Sequence, residues 1–139
     1  MTVSTARLEE VLATTRSVAV VGVSDRSTRP SFRVAAYLVD RTDYDVHLVN
    51  PHVDEVLGRP VYPSLAALPV VPDLVDVFRR ASELTRVAEE AIAVGARTLW
   101  LQLGLADAEV ARRGREAGVE VVMDRCLKVE HSRLIGARA

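Results

Sequence analysis

At 139 residues, 49% of them hydrophobic and 27% charged, the chain has the size and composition of one globular domain and not of a disordered segment. Its 18 basic and 19 acidic residues leave a formal charge of -1, so no overall basic field is offered to a nucleic acid. No apolar run approaches the roughly 18 residues of a membrane helix, no signal-peptide pattern opens the chain, and the single Cys126 cannot close an internal disulfide; a cytoplasmic protein is expected.

In chain order, Leu8, Val11 and Leu12 at i, i+3, i+4 predict an amphipathic helix over Ser4 to Thr14. Ser17 to Val21 is a short apolar run, the pattern of a strand buried on both faces. A polar loop follows, then a helix from about Ser31 to Arg41 with Ser31 as expected N-cap. The strand VHLV ends at Asn50-Pro51, and His52 to Pro63 reads as an irregular connection broken by Gly58 and Pro60. A short helix at Ser64 to Leu68 precedes a third strand, Leu74 to Phe78. Ser82 is expected to cap a helix carrying the stripe Leu84, Val87, Ala88, Ala91 and Ile92, which Gly95 stops. The strand TLWLQL, a helix from Asp107 to Gly118, the strand VEVVM and a helix from Cys126 to Leu134 complete the chain.

This alternation predicts an α/β fold: a Rossmann-like, doubly wound, five-stranded parallel sheet in order 3-2-1-4-5, with an extra N-terminal helix. Residues 1–139 form a single domain on this reading. In such a fold ligands sit beyond the carboxyl ends of the strands, here between the first and fourth. Those ends deliver Gly22, Val23, Ser24, Asp25 and Arg26; Asn50 and Pro51; Phe78, Arg79 and Arg80; Gln102 and Gly104; and Met123 to Cys126. Asn50 and Gln102 are the only carboxamides of the chain, and seventeen of its eighteen basic residues are arginine.

The first loop reads as an anion cradle. Free N–H groups and the positive end of a helix point into it, Ser24, Ser27, Thr28 and Ser31 add hydroxyls, and Arg26, Arg29 and Arg33 add charge. A dinucleotide fingerprint is absent: Gly22 stands without the further glycines of G-x-G-x-x-G, and the second strand closes on Asn50 instead of an acid. No G-K-[ST] of a Walker loop occurs.

The stretches VAVVGVSDRSTRPSFRVAAYL, VNPHVDEVLGRPVYPSL, DLVDVFRR, TLWLQLG and VVMDRCLKVEH together resemble the small stand-alone CoA-binding domain proteins, relatives of the N-terminal domain of the succinyl-CoA synthetase alpha subunit. The resemblance covers about residues 17 to 134 and implies coenzyme A, or an acyl-CoA, in the crevice. By that match Gly22, Val23, Ser24, Asp25 and Arg26 lie at the pyrophosphate, with Arg29, Pro30 and Ser31 at the following helix start. Asn50 and Pro51 match the adenosine segment, with His52 and Val53 beside it. Val77, Phe78 and Arg79 match the wall of the nucleotide, and Leu101, Gln102 and Leu103 the pantetheine side. Arg79 or Arg80 is the expected partner of the 3′-phosphate.

The synthetase's phosphohistidine domain and nucleotide-binding partner have no counterpart here, and His47, His52 and His131 form no triad with a nearby Ser or Cys. A binding protein without its own catalysis is therefore expected. The alternatives are the CoA-site subunit of an acyl-CoA ligase or transferase complex and an NAD(P)-sensing regulator. Neither a nucleic acid nor a membrane is an expected partner, and a protein partner is left unspecified. Cys126 reads as a small hydrophobe at a strand–helix joint, with reaction at the CoA thiol as the alternative. Asp124 is expected to cap the last helix or pair with arginine, and Trp100 to lie in the core.

Overall fold

The computed structural model describes residues 3–138. Its helices are α1 (Thr5–Thr14), α2 (Pro30–Arg41), α3 (Leu84–Val94), α4 (Ala108–Glu116) and α5 (Leu127–Leu134). Its strands are β1 (Ser17–Val21), β2 (Asp45–Val49), β3 (Glu55–Val56), β4 (Arg59–Tyr62), β5 (Leu74–Val77), β6 (Thr98–Leu101) and β7 (Glu120–Val122). They form one sheet in the order β3-β4-β2-β1-β5-β6-β7, parallel throughout except for the β3–β4 hairpin. Every residue of β5 and β6 is buried, as a sheet covered on both faces requires.

The α/β class and the parallel, doubly wound sheet match the sequence reading; the strand count and order do not. The connection after Asn50 is not irregular. It folds into a hairpin whose two-residue turn, Leu57 (φ 55°) and Gly58 (φ 69°), has both residues at positive φ, as a type I′ turn needs. Leucine is a poor marker of such a turn, which hid the hairpin. β4 then takes the place beside β2, with Leu48 opposite Val61. The strand at Leu74–Val77 must therefore pair on the other side of β1, with Val21 opposite Val77. The five long-range strands run 2-1-3-4-5, and the order reverses between β1 and β5, not between the first and fourth predicted strands.

Two layers of helices cover the sheet. Leu8, Val11 and Leu12 of α1, Val34, Ala35 and Leu38 of α2, and Leu127 of α5 pack on Val18, Val20, Leu48, Leu74 and Trp100. Leu84, Val87, Ala88 and Ala91 of α3 and Val110 of α4 pack with Leu65 on Ala19, Val21, Val75, Val77 and Leu101. Full burial of each large apolar side chain contributes about 1.5–3 kcal/mol. Trp100 is fully buried, and its Nε1 donates to the Arg125 carbonyl at 2.8 Å. No helix among the described residues is long and apolar enough to cross a membrane.

Helix starts differ in detail from the sequence reading. Ser4 caps α1 and Asp107 caps α4, accepting from the N–H groups of Glu109 and Val110. Ser31 is not the N-cap of α2: Pro30 occupies the first turn and Arg29 precedes it without a side-chain cap. Ahead of α3, Ala81–Glu83 forms a 3-10 turn, so Ser82 caps nothing there. The short helix expected at Ser64 to Leu68 is a 3-10 turn over Leu65–Ala67. Gly95 ends α3 at φ 90°, as expected.

Two packing details carry tests. A Cβ on Gly114 of α4 would lie 2.3 Å from Cγ2 of Val121 on β7. Alanine normally gains about 1 kcal/mol over glycine in a helix. Here overpacking against a stiff β-branched side chain, typically about 1–3 kcal/mol, outweighs it. Gly114→Ala is expected to destabilise by about 1 kcal/mol in urea unfolding, and Val121→Ala in the same chain to reduce that loss by favourable coupling.

Asp76 is fully buried between Val20 and Trp100 in the sheet, and neither carboxyl oxygen has a hydrogen-bond partner among the described residues. Burial pushes its pKa well above the ordinary 3.8. The unfolded chain therefore ionises first as pH rises, and stability falls from about pH 4 upward, by about 1.4 kcal/mol per pH unit while only the unfolded state is charged. Asp76→Asn should remove this component. Urea unfolding at pH 4.5 and pH 8 should show the variant gaining on the parent as pH rises; parallel pH profiles would exclude it.

Candidate functional site

The carboxyl ends of β2, β1, β5 and β6 open onto a cleft of about 840 Å³, within the range of small-molecule sites. It lies at the reversal of strand order. After β1 the chain passes to α2 on one face of the sheet, and after β5 to α3 on the other, so the two connections part and leave the crevice between them.

The floor of the cleft is set at Gly22, the residue after β1. Its φ is 89°, and a Cβ there would fall 2.0 Å from the Phe78 carbonyl oxygen. Only glycine allows this approach. The ends of three strands are bonded at this point: Gly22 N donates to Val49 O and Phe78 N donates to Val21 O, both at 2.8 Å. Beyond Gly22 the loop is closed by its own hydroxyls. Ser24 N donates to Ser31 Oγ at 2.9 Å, and Arg26 N donates to Ser24 Oγ at 3.0 Å. Ser31 thus ties the loop back to the first turn of α2. Pro30 has no N–H, and the N–H groups of Ser31 and Phe32 meet no acceptor among the described residues. They leave a positive helix end facing the cleft.

Charge is distributed unevenly over the molecule. Arg7, Arg86, Arg97, Arg112, Arg113, Arg125, Arg133 and Arg138 each pair with a carboxylate. Arg26, Arg29, Arg79 and Arg80, which line the cleft, pair with none among the described residues; Arg16, Arg33, Arg41, Arg59 and Arg115 also lack a carboxylate partner but do not line the cleft. The one carboxylate of the lining, Glu83, lies 3.0 Å from Arg86, outside the cleft. A smaller groove of about 370 Å³ near Val3 holds two arginines: Arg7 is bound to Glu10 and Glu120 at 2.7 Å, and Arg115 pairs with no carboxylate among the described residues.

Both carboxamides work as bridges. Asn50 Nδ2 donates to the Val23 carbonyl at 2.8 Å, and its Oδ1 accepts from His52 N at 2.8 Å, which fastens the end of β2 to the first loop. Gln102 Oε1 accepts from Leu127 N at 3.0 Å, at the start of α5. Asp124 completes this wall. At φ 57° it donates its N–H to Leu105 O and accepts from Gly104 N at 2.7 Å. It therefore holds two loops together and does not cap α5, whose N-cap is Cys126 without a side-chain bond. Cys126 is half-buried at the joint between β7 and α5, packs against the core and also lines the cleft.

Of the residues singled out in the sequence, the structure gathers Gly22, Ser24, Arg26, Arg29, Pro30, Ser31, Asn50, Phe78, Arg79, Arg80, Gln102, Leu103 and Cys126 around this one cleft. Val23, Val77 and Leu101 are instead core residues, packed beneath the helix layers. Asp25 and Pro51 are exposed and outside the lining. Glu83 and Leu105 belong to the lining and were not foreseen. The 3-10 turn that brings Glu83 in has no strong signature, and Leu105 is drawn in by the Asp124 clamp. Among the described residues no cluster of three or more His, Cys, Asp or Glu is placed to hold a metal ion.

Comparison with known proteins agrees with the fold and extends over most of the chain. The Bacillus subtilis (strain 168) protein YneT is 40% identical over 129 residues, 93% of this chain and 95% of that one. A protein from Pyrococcus horikoshii OT3 superposes with a TM-score of 0.91 at 35% identity, covering 96% of this chain and 94% of that one. The Thermus thermophilus structure of cell-free ID.343 gives a TM-score of 0.89 at 36% identity, over 96% and 100%. A family model described as CoA binding domain matches residues 16–132, which include every strand of the sheet and the whole lining of the cleft. With its parallel sheet, its crevice at the reversal of strand order and this match, the chain belongs to the CoA binding domain family.

Proposed function

We propose that this protein binds coenzyme A, or an acyl-CoA, in the cleft at the carboxyl ends of β2, β1, β5 and β6. The observation that carries the reading is the set of four arginines without carboxylate partners, gathered with the open N-terminus of α2 in a chain of the CoA binding domain family. CoA brings a pyrophosphate and a 3′-phosphate, the groups such a cluster recognises. The loop from Gly22 to Ser31 takes the pyrophosphate on backbone N–H groups and hydroxyls, with Arg26 and Arg29 supplying charge. Arg79 or Arg80 takes the 3′-phosphate. Asn50 borders the adenosine end, and the neutral wall of Gln102, Leu103 and Leu105 borders the pantetheine.

Magnitudes permit this. Hydrogen bonds to charged groups contribute about 1.5–3 kcal/mol each. Three or four of them reach the roughly 8 kcal/mol of micromolar binding when ordering costs stay small, as in a loop already closed by Ser24 and Ser31. The reading is of a binding module.

Calorimetry with CoA, dephospho-CoA and NAD at matched ionic strength tests it. CoA should bind in the micromolar range, dephospho-CoA about tenfold or more weaker, and NAD far weaker. Of Arg79→Ala and Arg80→Ala, the one that removes the 3′-phosphate contact should weaken CoA about tenfold and leave dephospho-CoA nearly unchanged. Tighter binding of NAD than of CoA would support the regulator reading and overturn this one.

A further inference from the structure

We infer that β7, the open edge of the sheet, pairs antiparallel with β7 of a second copy of this chain and joins two molecules into one continuous sheet. The two edges of the sheet are finished differently. At one edge β3 is only Glu55–Val56, folded back on β4 with Glu55 opposite Pro60, and offers little to a further strand. At the other edge β7 pairs with β6 alone. Glu120 stands opposite Thr98 and donates its N–H to Arg97 O at 2.9 Å, so Glu120 and Val122 turn their main-chain groups inward to β6. Val121, between them, turns its N–H and C=O outward, and the N–H of Met123 meets no acceptor among the described residues. Bare main-chain groups along an edge are a template for another strand.

Val119, Glu120, Val121 and Met123 line the groove of about 370 Å³ beside this edge, with Arg7 of α1 and Arg115 of α4 at its sides. The strand's own image fits there. Symmetric pairing centred on Val121 lets the two Val121 residues exchange N–H···O=C bonds, and sets Val119 against Met123 and Glu120 against Val122. Val119, Val121 and Met123 all pack on the core beneath α3 and α4, so the cross-strand neighbours on that face are apolar throughout. Glu120 does not meet its own image, and it is already bound to Arg7 at 2.7 Å, so no bare like charges are opposed along the strand.

Charge favours a second copy over an unrelated strand. A two-fold axis through this pairing runs the two α4 helices antiparallel on the same face of the sheet. Asp107 and Glu109 stand at the start of α4, and Arg113 and Arg115 in its last turn. The basic end of one α4 is thereby turned toward the acidic start of the other, and Arg115 pairs with no carboxylate among the described residues of its own chain. No residue of this groove lines the cleft, so the pairing is independent of what the cleft binds.

Sedimentation velocity of the full chain, joined to amide hydrogen exchange at low and high protein concentration, tests this. The dimer should grow with concentration and dissociate on dilution, as a small interface built on a short strand does. The amides of Val121 and Met123 should exchange freely in dilute solution and gain about tenfold or more protection as the dimer fills, while those of Glu120 and Val122, already bonded to β6, keep theirs. Arg115→Glu should weaken the dimer about tenfold or more at low salt. Val121→Lys sets two ammonium groups against each other across the axis and should abolish it. Both variants should keep the parent's circular dichroism, since Arg115 is exposed and Val121 lies at the half-buried edge. A chain still monomeric at about 1 mM would overturn the inference. A dimer whose Val121 amide exchanges freely at every concentration is joined elsewhere, and would overturn it equally.

Discussion

The close approach of β1 to β5 at Gly22 governs the rest of the site. A side chain at that residue would collide with the Phe78 carbonyl at 2.0 Å, and the main chain there stands at a φ of 89° that glycine alone adopts freely. Because the approach is allowed, the ends of β2, β1 and β5 bond to one another through Val49, Gly22, Val21 and Phe78. The loops that follow then leave from a common edge. Arg79 follows directly, and its side-chain stem would lie 3.4 Å from the same absent Cβ. One glycine thus brings the first loop and the β5 arginines to the same place.

The second constraint is electrostatic. Over most of this molecule arginine is neutralised locally: Arg112 lies between Glu109 and Glu116, and Arg125 and Arg133 share Glu130. Exposed pairs of this kind add little stability, but they quench charge. Around the cleft none of the four lining arginines is quenched in this way. Arg26, Arg29, Arg79 and Arg80 line it from the loops after β1 and β5 with no carboxylate bound to them among the described residues. Like charges held close together destabilise the free protein, and a polyanion relieves them. On the proposed reading, the phosphates of CoA would meet these uncompensated charges.

Much of this was legible in the sequence, for identifiable reasons. The runs SVAVV, LVDVF and TLWLQL read as buried strands and the stripe from Leu84 to Ile92 as a helix face, and their alternation pointed to the α/β class. The polar residues at the strand ends were legible because ends are fixed by the strands themselves. What escaped was what depends on pairing. The β3–β4 hairpin turns on Leu57-Gly58 in place of Asn-Gly, so β4 was missed and the order of the sheet with it. Local pattern also cannot tell an inward from an outward residue at a strand end, which is why Val23, Val77 and Leu101 were set beside Ser24, Phe78 and Gln102. The roles of Ser31, Asp124 and Asn50 as bridges lay beyond reach, since each depends on a partner brought near only by the folded chain.

The central claim is that the cleft at the reversal of strand order is where CoA binds. An NMR titration of the isotope-labelled protein with CoA, followed through the backbone amide signals, tests this residue by residue. The account predicts that the largest shifts fall on Gly22 to Phe32, Phe78 to Arg80 and Gln102 to Leu105, while the groove formed by Arg7, Arg115 and Glu120 stays unchanged. Shifts concentrated in that groove, or none at saturating CoA, would contradict it.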